Sequence, residues 1–198
     1  MTVLVGYASA HSSSAGIAEE IGSQLVKAGV QAVVRPLTEV EHLGFYDSLV
    51  LGSAVHDGEW LAEASAFLAR HAAELACRPV WLFSVSSVGS TSSFFGPRVT
   101  RLIRRTRQDH RALAEARHLA RFRGHRDFAG AIERSQWGRA GDFFLKVCGG
   151  LPGDHRDWQD VDEWARGIAG EVLAAEWAKE RTRLRLVPPL PSTSGRAR

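Results

Sequence analysis

Short apolar runs alternate with amphipathic stretches along the first half of the chain. Four runs have the length and composition of strands: residues 3–8, 32–35, 48–52 and 80–85. The third run is continuously apolar, which predicts a central strand covered on both faces. Residues 15–28 and 61–73 place apolar side chains every three or four positions, which predicts two helices, and Gly29 is a typical C-terminal cap for the first.

The second half is less regular. Pro97 opens a predicted helix over 97–107, with Val99, Leu102 and Ile103 on its apolar face. Residues 119–122 and 128–132 are the candidates for a fifth strand. The second is favoured because Gly130 and Ala131 permit close backbone approach. A final amphipathic helix is predicted over 160–179, and the basic, Pro-rich residues from 179 onward predict a mobile tail.

Strands that alternate with helices at these distances predict an α/β fold, a three-layer sandwich in which helices cover both faces of a five-stranded parallel sheet. We assign residues 1–178 to this domain and 179–198 to the tail. Ligands of such sheets bind beyond the carboxyl ends of the strands. Three of these ends carry small polar residues, at 9–14, 53–60 and 86–93, so we expect a binding site there.

Composition and charge fit one globular domain. The chain has 198 residues, of which 44% are hydrophobic and 24% charged, and a net charge of +3. The charge is unevenly distributed: residues 1–95 carry 4 basic and 9 acidic side chains, whereas 96–147 carry 13 basic and 5 acidic ones. The net excess is too small to require a nucleic acid, and we expect none as a partner. The positive segment instead indicates an anionic partner.

Cysteine usage and the amino terminus favour a reducing compartment. Cys77 and Cys148 lie far apart, without the spacing of a zinc site, so we predict neither a disulfide framework nor a bound metal. No cationic segment precedes the first apolar run, and no run approaches the roughly 20 apolar residues of a membrane span. We expect a cytoplasmic protein, at most peripheral to the inner face of the membrane.

The first loop has the chemistry of a phosphate site. Ser9, Ser12, Ser13 and Ser14 lie before or at a predicted helix N-terminus, where free N–H groups and the helix dipole favour an anion. N-capping would use only one of these hydroxyls. The chain has no G-x-G-x-x-G or G-x-x-x-x-G-K-[ST] motif, which argues against a Rossmann dinucleotide site and a P-loop.

Residues 9–14, S-A-H-S-S-S, resemble the phosphate loop of flavodoxins, T/S-x-T-G-x-T, with Ser12 at the glycine position. The resemblance is closer to menaquinone-dependent protoporphyrinogen IX dehydrogenases, a flavodoxin-like family. Residues 50–58, V-L-G-S-A-V-H-D-G, are similar to that family's V-I-G-A-S-I-R-Y-G. Four later segments match its order: A-G-A-I at 129–132, F-F-L-K-V at 143–147, C-G-G at 148–150 and D-W at 157–158.

The resemblance implies bound FMN. Its phosphate would lie among Ser9, Ala10, His11, Ser12, Ser13 and Ser14. One side of the ring would face Ser53, Ala54, Val55, His56 and Trp60, and the other Ser86, Ser87, Val88 and Gly89. Trp60 could stack on the ring or be an ordinary packing residue, and His56 could contact the flavin or lie on the surface. No side chain is assigned as a catalytic acid or base.

The resemblance further implies an oxidoreductase of porphyrin biosynthesis that passes electrons from a porphyrinogen to a quinone. Arg98, Arg101 and Arg105 share one helix face and could meet porphyrinogen carboxylates or anionic lipid. The apolar and basic insertion at 134–147 could touch a membrane, cover the sheet or join copies in a homo-oligomer. The alternatives are a non-catalytic electron-transfer carrier and an interaction module that lacks FMN.

Overall fold

A computed structural model describes residues 1–10, 12–106, 108–119, 121–132 and 153–185. The strands are β1 (Thr2–Ala8), β2 (Gln31–Pro36), β3 (Ser48–His56), β4 (Glu59–Trp60), β5 (Val80–Ser86), β6 (Phe122–Ala129), β7 (Ala131–Ile132) and β8 (Gly153–Asp154). The helices are α1 (Ser13–Lys27), α2 (Ala62–Arg70), α3 (Ala72–Ala76), α4 (Pro97–Thr106), α5 (Arg111–Ala116) and α6 (Trp158–Arg185). A 3-10 turn spans Leu37–Glu39.

The main sheet has five parallel strands in the order β2-β1-β3-β5-β6, and β4 is antiparallel to β3. β3 and β5 are inner strands, and the first six residues of each are buried, as their continuous apolar sequences predict. In register, Ala8 pairs with Ser53 and Ser53 with Ser84, so the first three loops leave the same edge of the sheet. The predicted five-stranded parallel sheet is confirmed, and its strand order is that of the flavodoxin-like doubly wound fold.

Each face of the sheet is covered by its own set of helices. Ile17, Ile21 and Leu25 of α1 are fully buried in one core, which α6 completes. Helices α2, α3 and α5 fill the opposite core, where Phe67 is the largest fully buried side chain. Helix α1 ends just before Gly29, whose φ of 88° provides the predicted glycine cap.

Strand β3 is four residues longer than predicted and turns back into β4. Asp57 and Gly58 both have positive φ, 51° and 82°, which is the conformation of a two-residue hairpin turn. His56 then pairs with Glu59, and Val55 with Trp60. The residues expected in a loop at 53–60 are therefore largely strand, and the hairpin fixes which of them face the sheet edge.

The fifth strand lies mainly between its two predicted positions. β6 joins the edge of the sheet beside β5, and only its last two residues, Phe128 and Ala129, are buried. The rest of β6 is half-buried or exposed and, apart from Phe122 and Gly124, polar, so it lacks the apolar pattern used to find strands. Ala131 and Ile132, placed in that strand by the sequence, instead pair with β8.

Three helices also differ from prediction. The helix expected over 61–73 is interrupted at His71, between α2 and α3. In α4, Leu102 is 62% exposed and Thr100 is buried, so the predicted apolar face is wrong at Leu102. Helix α6 continues to Arg185, past the predicted start of the tail at 179. Residues 186–198 and the insertion at 134–147 lie outside the described residues.

No helix in the described part of the chain is both long and apolar enough to cross a membrane.

Candidate functional site

A cavity of about 480 Å³ opens at the carboxyl ends of β1, β3 and β5. It is bounded by the loop after β1, the first turn of α1, the end of β3 and the loop after β5. Gly130 and Ala131, just after β6, close one side. Its position is the one expected for a ligand site in an open α/β sheet.

Two hydroxyl groups in the first loop are buried without a partner among the described residues. The Oγ atoms of Ser9 and Ser14 make no hydrogen bond within this part of the chain, and both residues line the cavity. Ser14 is 0% exposed. A buried hydroxyl that lacks a partner costs roughly 1–3 kcal/mol. The cost is removed if a group in the cavity bonds these oxygens, which makes them the strongest sign of a ligand.

The N-terminus of α1 is also uncapped by a side chain. Ser12 is its N-cap residue, with a φ of 61°, and its hydroxyl makes no capping hydrogen bond. Capping therefore does not explain the serines of this loop. Ser12 is exposed and does not line the cavity. His11 lies outside the described residues, so its predicted role stays a prediction.

Ser13 has a structural partner. Its hydroxyl accepts a hydrogen bond from Ala131 N at 3.1 Å and is 3.4 Å from Ala131 O. This contact draws α1 against the chain that follows β6. A Cβ atom at Gly130 would lie 3.2 Å from Val85 Cγ1 and 3.3 Å from Ser13 Cβ. Gly130 therefore allows the close approach that the sequence indicated, and it forms part of the cavity wall.

The end of β3 supplies the second wall. Ala54, Val55 and His56 line the cavity as predicted, and Asp57 joins them. His56 Nδ1 lies 3.2 Å from Asp57 Oδ2, and both side chains are mostly exposed. Ser53 is 0% exposed, and its side chain is not part of the cavity lining. Its Oγ donates a hydrogen bond to Ala54 O and accepts one from Leu61 N. Ser53 therefore holds the hairpin and does not line the cavity.

Trp60 does not flank the cavity, which corrects the expectation that it stacks on a flavin ring. It is 4% exposed, and its Nε1 donates to Ser84 Oγ at 2.8 Å. His110 stacks on the indole with ring centroids 5.3 Å apart. The return of the chain through β4 carries Trp60 into the core shared with α2 and α5. The packing alternative is the one observed.

Some residues of the third loop, which follows β5, line the cavity and others support the loop from behind. Ser86 and Ser87 line the cavity, whereas Val88 is 1% exposed and Gly89 is outside the lining. A Cβ atom at Gly89 would lie 2.4 Å from Ala129 N, so this position requires glycine. Phe94 also lines the cavity, although the sequence did not single it out. It follows the loop serines directly, but nothing in the sequence indicates that its ring turns inward.

Charge is scarce around the cavity. Among its described lining residues, no Lys or Arg is present, and Asp57 is the acidic one. Arg156 lies against the first turns of α1 outside this lining, since a Cβ at Gly16 would be 2.7 Å from its Nη1. Arg156 donates two hydrogen bonds to the Asp154 carboxylate, which lowers the pKa of Asp154 and raises that of Arg156. The two opposite charges therefore cancel each other beside α1.

Known structures share this architecture at low sequence identity. A Streptococcus pneumoniae flavodoxin is 14% identical over 86% of this chain and 99% of its own, with a TM-score of 0.50. A point mutant of a Pseudomonas aeruginosa flavodoxin is 12% identical over 76% of this chain and 100% of its own, also with a TM-score of 0.50. Both similarities concern the fold.

The comparison with curated proteins gives no match. The family comparison is positive: the flavodoxin domain matches residues 4–139, which includes all three loops of the cavity. This match covers more than half of the 198 residues. The chain therefore belongs to the flavodoxin domain family.

Proposed function

We propose that the cavity binds FMN, with its phosphate against the first loop. The observation that carries this proposal is the pair of buried, unpartnered hydroxyls of Ser9 and Ser14 beside the uncapped N-terminus of α1. A phosphate bears several strong acceptor oxygens and the negative charge that a helix N-terminus favours. Members of the flavodoxin family typically bind FMN, and the cavity has the size of a small-molecule site.

Different residues of the cavity would bind the phosphate and the ring of FMN. Ser9, Ser14 and the first N–H groups of α1 would hold the phosphate. Ala54, Val55 and Phe94 give the ring apolar contact that displaces water, and Ser86 and Ser87 offer polar groups to its edge. When bound, FMN supplies one-electron and hydride transfer chemistry. The described residues offer no buried acid or base in the cavity, so we assign the protein positioning and desolvation.

For the reaction, we propose an FMN-dependent oxidoreductase similar to quinone-dependent protoporphyrinogen IX dehydrogenase. The ordered sequence similarities from residue 50 to residue 158 support this proposal. The basic character of residues 96–147 also supports it, because a porphyrinogen is a polycarboxylate. The substrate would thus be an anionic reduced molecule and the acceptor a quinone at the inner face of the membrane.

A non-catalytic electron carrier is the second candidate, since the family match is to the flavodoxin domain. The two candidates share the cofactor and differ in what reduces it. An enzyme's bound FMN is reduced directly by its substrate, whereas a carrier's FMN exchanges electrons only with a protein partner.

The test starts from the protein purified and incubated with FMN. A yellow protein with one FMN per chain supports the cavity assignment, and protein that stays colourless favours an interaction module without FMN. Anaerobic addition of protoporphyrinogen IX with a menaquinone analogue then separates the remaining candidates. Protein-dependent formation of porphyrin supports the enzyme. Retained FMN without porphyrin formation, against a heat-inactivated control, contradicts it and favours the carrier.

A further inference from the structure

Helix α4 carries an unbalanced positive charge. Its ten residues include Arg98, Arg101, Arg104 and Arg105 and no acidic residue. Among the residues that the structure describes, Arg98, Arg101 and Arg105 take part in no ion pair, and all three are exposed. Arg101 and Arg105 are four residues apart, a spacing at which like charges repel. The helix dipole favours cations at its C-terminal turn but does not remove this repulsion.

Arg101, Arg104 and Arg105 line a groove of about 510 Å³. One wall is the outer side of the loop after β5, at Thr91, Ser92, Ser93 and Phe95, and the other is α4. The groove shares no lining residue with the cavity at the sheet edge. Along the loop, Phe94 lines the cavity while Ser93 and Phe95 line the groove. The two concave surfaces therefore lie back to back across one loop.

The groove's shape is fixed by hydrogen bonds within its walls. Arg104 donates to Gly89 O through Nε at 3.1 Å and through Nη2 at 2.8 Å, which ties α4 to the loop. Thr100 Oγ1 lies 2.9 Å from Ser93 Oγ and 3.0 Å from Phe95 O. These contacts preform a recess whose two remaining guanidinium groups, those of Arg101 and Arg105, are not used to hold its walls together.

We propose that this groove binds a small organic anion that carries two or more carboxylate or phosphate groups. Guanidinium groups bind both kinds of oxyanion through paired, charge-assisted hydrogen bonds. Two such groups one helical turn apart suit a ligand with two anionic ends. A bound anion would also relieve the repulsion between Arg101 and Arg105. A porphyrinogen is one anion of this class, but the site requires neither bound FMN nor the reaction proposed for the cavity.

Isothermal titration calorimetry with pyrophosphate and with citrate tests the proposal. Each probe is titrated at low ionic strength into the wild-type chain, with and without saturating FMN. The double variant Arg101→Gln/Arg105→Gln should weaken binding of the preferred probe by about tenfold or more, because charge-assisted bonds are the stronger class. The two probes distinguish a phosphate from a carboxylate ligand. Circular dichroism checks that the variant, changed only at exposed positions, is folded.

The control is Arg98→Gln, which removes one charge from the same helix, against two in the double variant, and lies outside the groove. It should change the affinity by less than about twofold, because Arg98 does not line the groove and forms no charge-assisted hydrogen bond with a ligand there. An equal loss of binding free energy per charge removed in the two variants would show a diffuse field and overturn the proposal. So would the absence of saturable binding, or a loss confined to Ser9→Ala/Ser14→Ala, which would place the anion at the first loop.

Discussion

The cavity at the sheet edge and the groove beside α4 share one loop but present opposite chemistry. The cavity offers neutral donors, the buried hydroxyls of Ser9 and Ser14 and the N-terminus of α1. The groove offers exposed cations, Arg101 and Arg105. Burying an unpaired charge is costly, whereas burying a hydroxyl costs less. A hydroxyl carries no net charge and binds through a directional hydrogen bond, which salt does not screen. We therefore expect binding in the cavity to depend weakly on salt and binding in the groove to depend strongly on it.

The largest effect is expected where the shared loop meets the sheet. A Cβ atom at Gly89 would lie 2.4 Å from Ala129 N and 2.8 Å from Phe128 C, both of them backbone atoms that cannot turn aside. Gly89→Ala should lower the free energy of unfolding by about 3 kcal/mol and weaken binding at both surfaces. Urea denaturation measures the first effect.

Gly44→Ala is the control, because Gly44 is exposed and a Cβ there would meet nothing within 4 Å. Its unfolding midpoint should stay close to that of the wild type. If Gly89→Ala were as stable as Gly44→Ala, the loop would not be held by its close approach to β6.

The next effect concerns the ion pair that anchors the groove side to α6. Asp160 is 5% exposed, pairs with Arg126 and accepts a hydrogen bond from Thr91 Oγ1, a groove residue. Arg126→Met leaves this buried carboxylate without its cation and should cost about 2 kcal/mol, less than for a wholly buried pair because Arg126 is 36% exposed.

Asp160→Asn should cost less, since the Arg126 side chain can remain solvated. Urea denaturation measures the free energy of unfolding of both variants. Equal losses of this free energy would show that the burial of Asp160 does not determine the cost of breaking the ion pair. FMN affinity should change little in either, because neither residue lines the cavity.

The smallest effect is a pH dependence beside α1. Arg156 lowers the pKa of Asp154 below its usual 3.8, mainly through its side-chain hydrogen bond. A lowered pKa in the folded state adds stability above the unfolded value, and this stability is lost as the pH falls through the folded value. The stability difference between the wild type and Arg156→Gln should thus narrow below pH 3.8. If the stability difference between the two proteins instead widened as the pH fell, the ion pair of Arg156 with Asp154 would not be its cause.

The layer architecture was predictable because the inner strands are continuously apolar. Residues 48–52 and 80–85 need no tertiary information to be recognised as buried strands. β6 was located poorly because its polar residues are satisfied by distant partners. His125 contacts Ser84 Oγ at 2.9 Å, and Arg126 pairs with Asp160 across the fold. Local periodicity contains no sign of either contact.

The candidate site was predictable as a set of loops but not side chain by side chain. Ser9, Ser14, Ser86 and Ser87 lie where the loop pattern placed them. Trp60 was misplaced because the Asp57-Gly58 turn reverses the chain and directs the indole into the core. An Asp-Gly pair is itself a hairpin signal, so this error was avoidable. The inward turn of Phe94 depends on tertiary packing.

The most direct test is a comparison of FMN with riboflavin, which lacks the phosphate. Flavin fluorescence titrations would use the wild type, Ser9→Ala/Ser14→Ala and, as control, Ser48→Ala. Ser48 also has a buried hydroxyl without a partner among the described residues, but it lies at the opposite end of β3. We predict that the double variant binds FMN about tenfold to hundredfold more weakly than the wild type. Its affinity for riboflavin, and the affinity of Ser48→Ala for FMN, should stay near the wild-type values. Equal wild-type affinity for FMN and riboflavin, or unchanged FMN affinity in the double variant, would contradict a phosphate at Ser9 and Ser14.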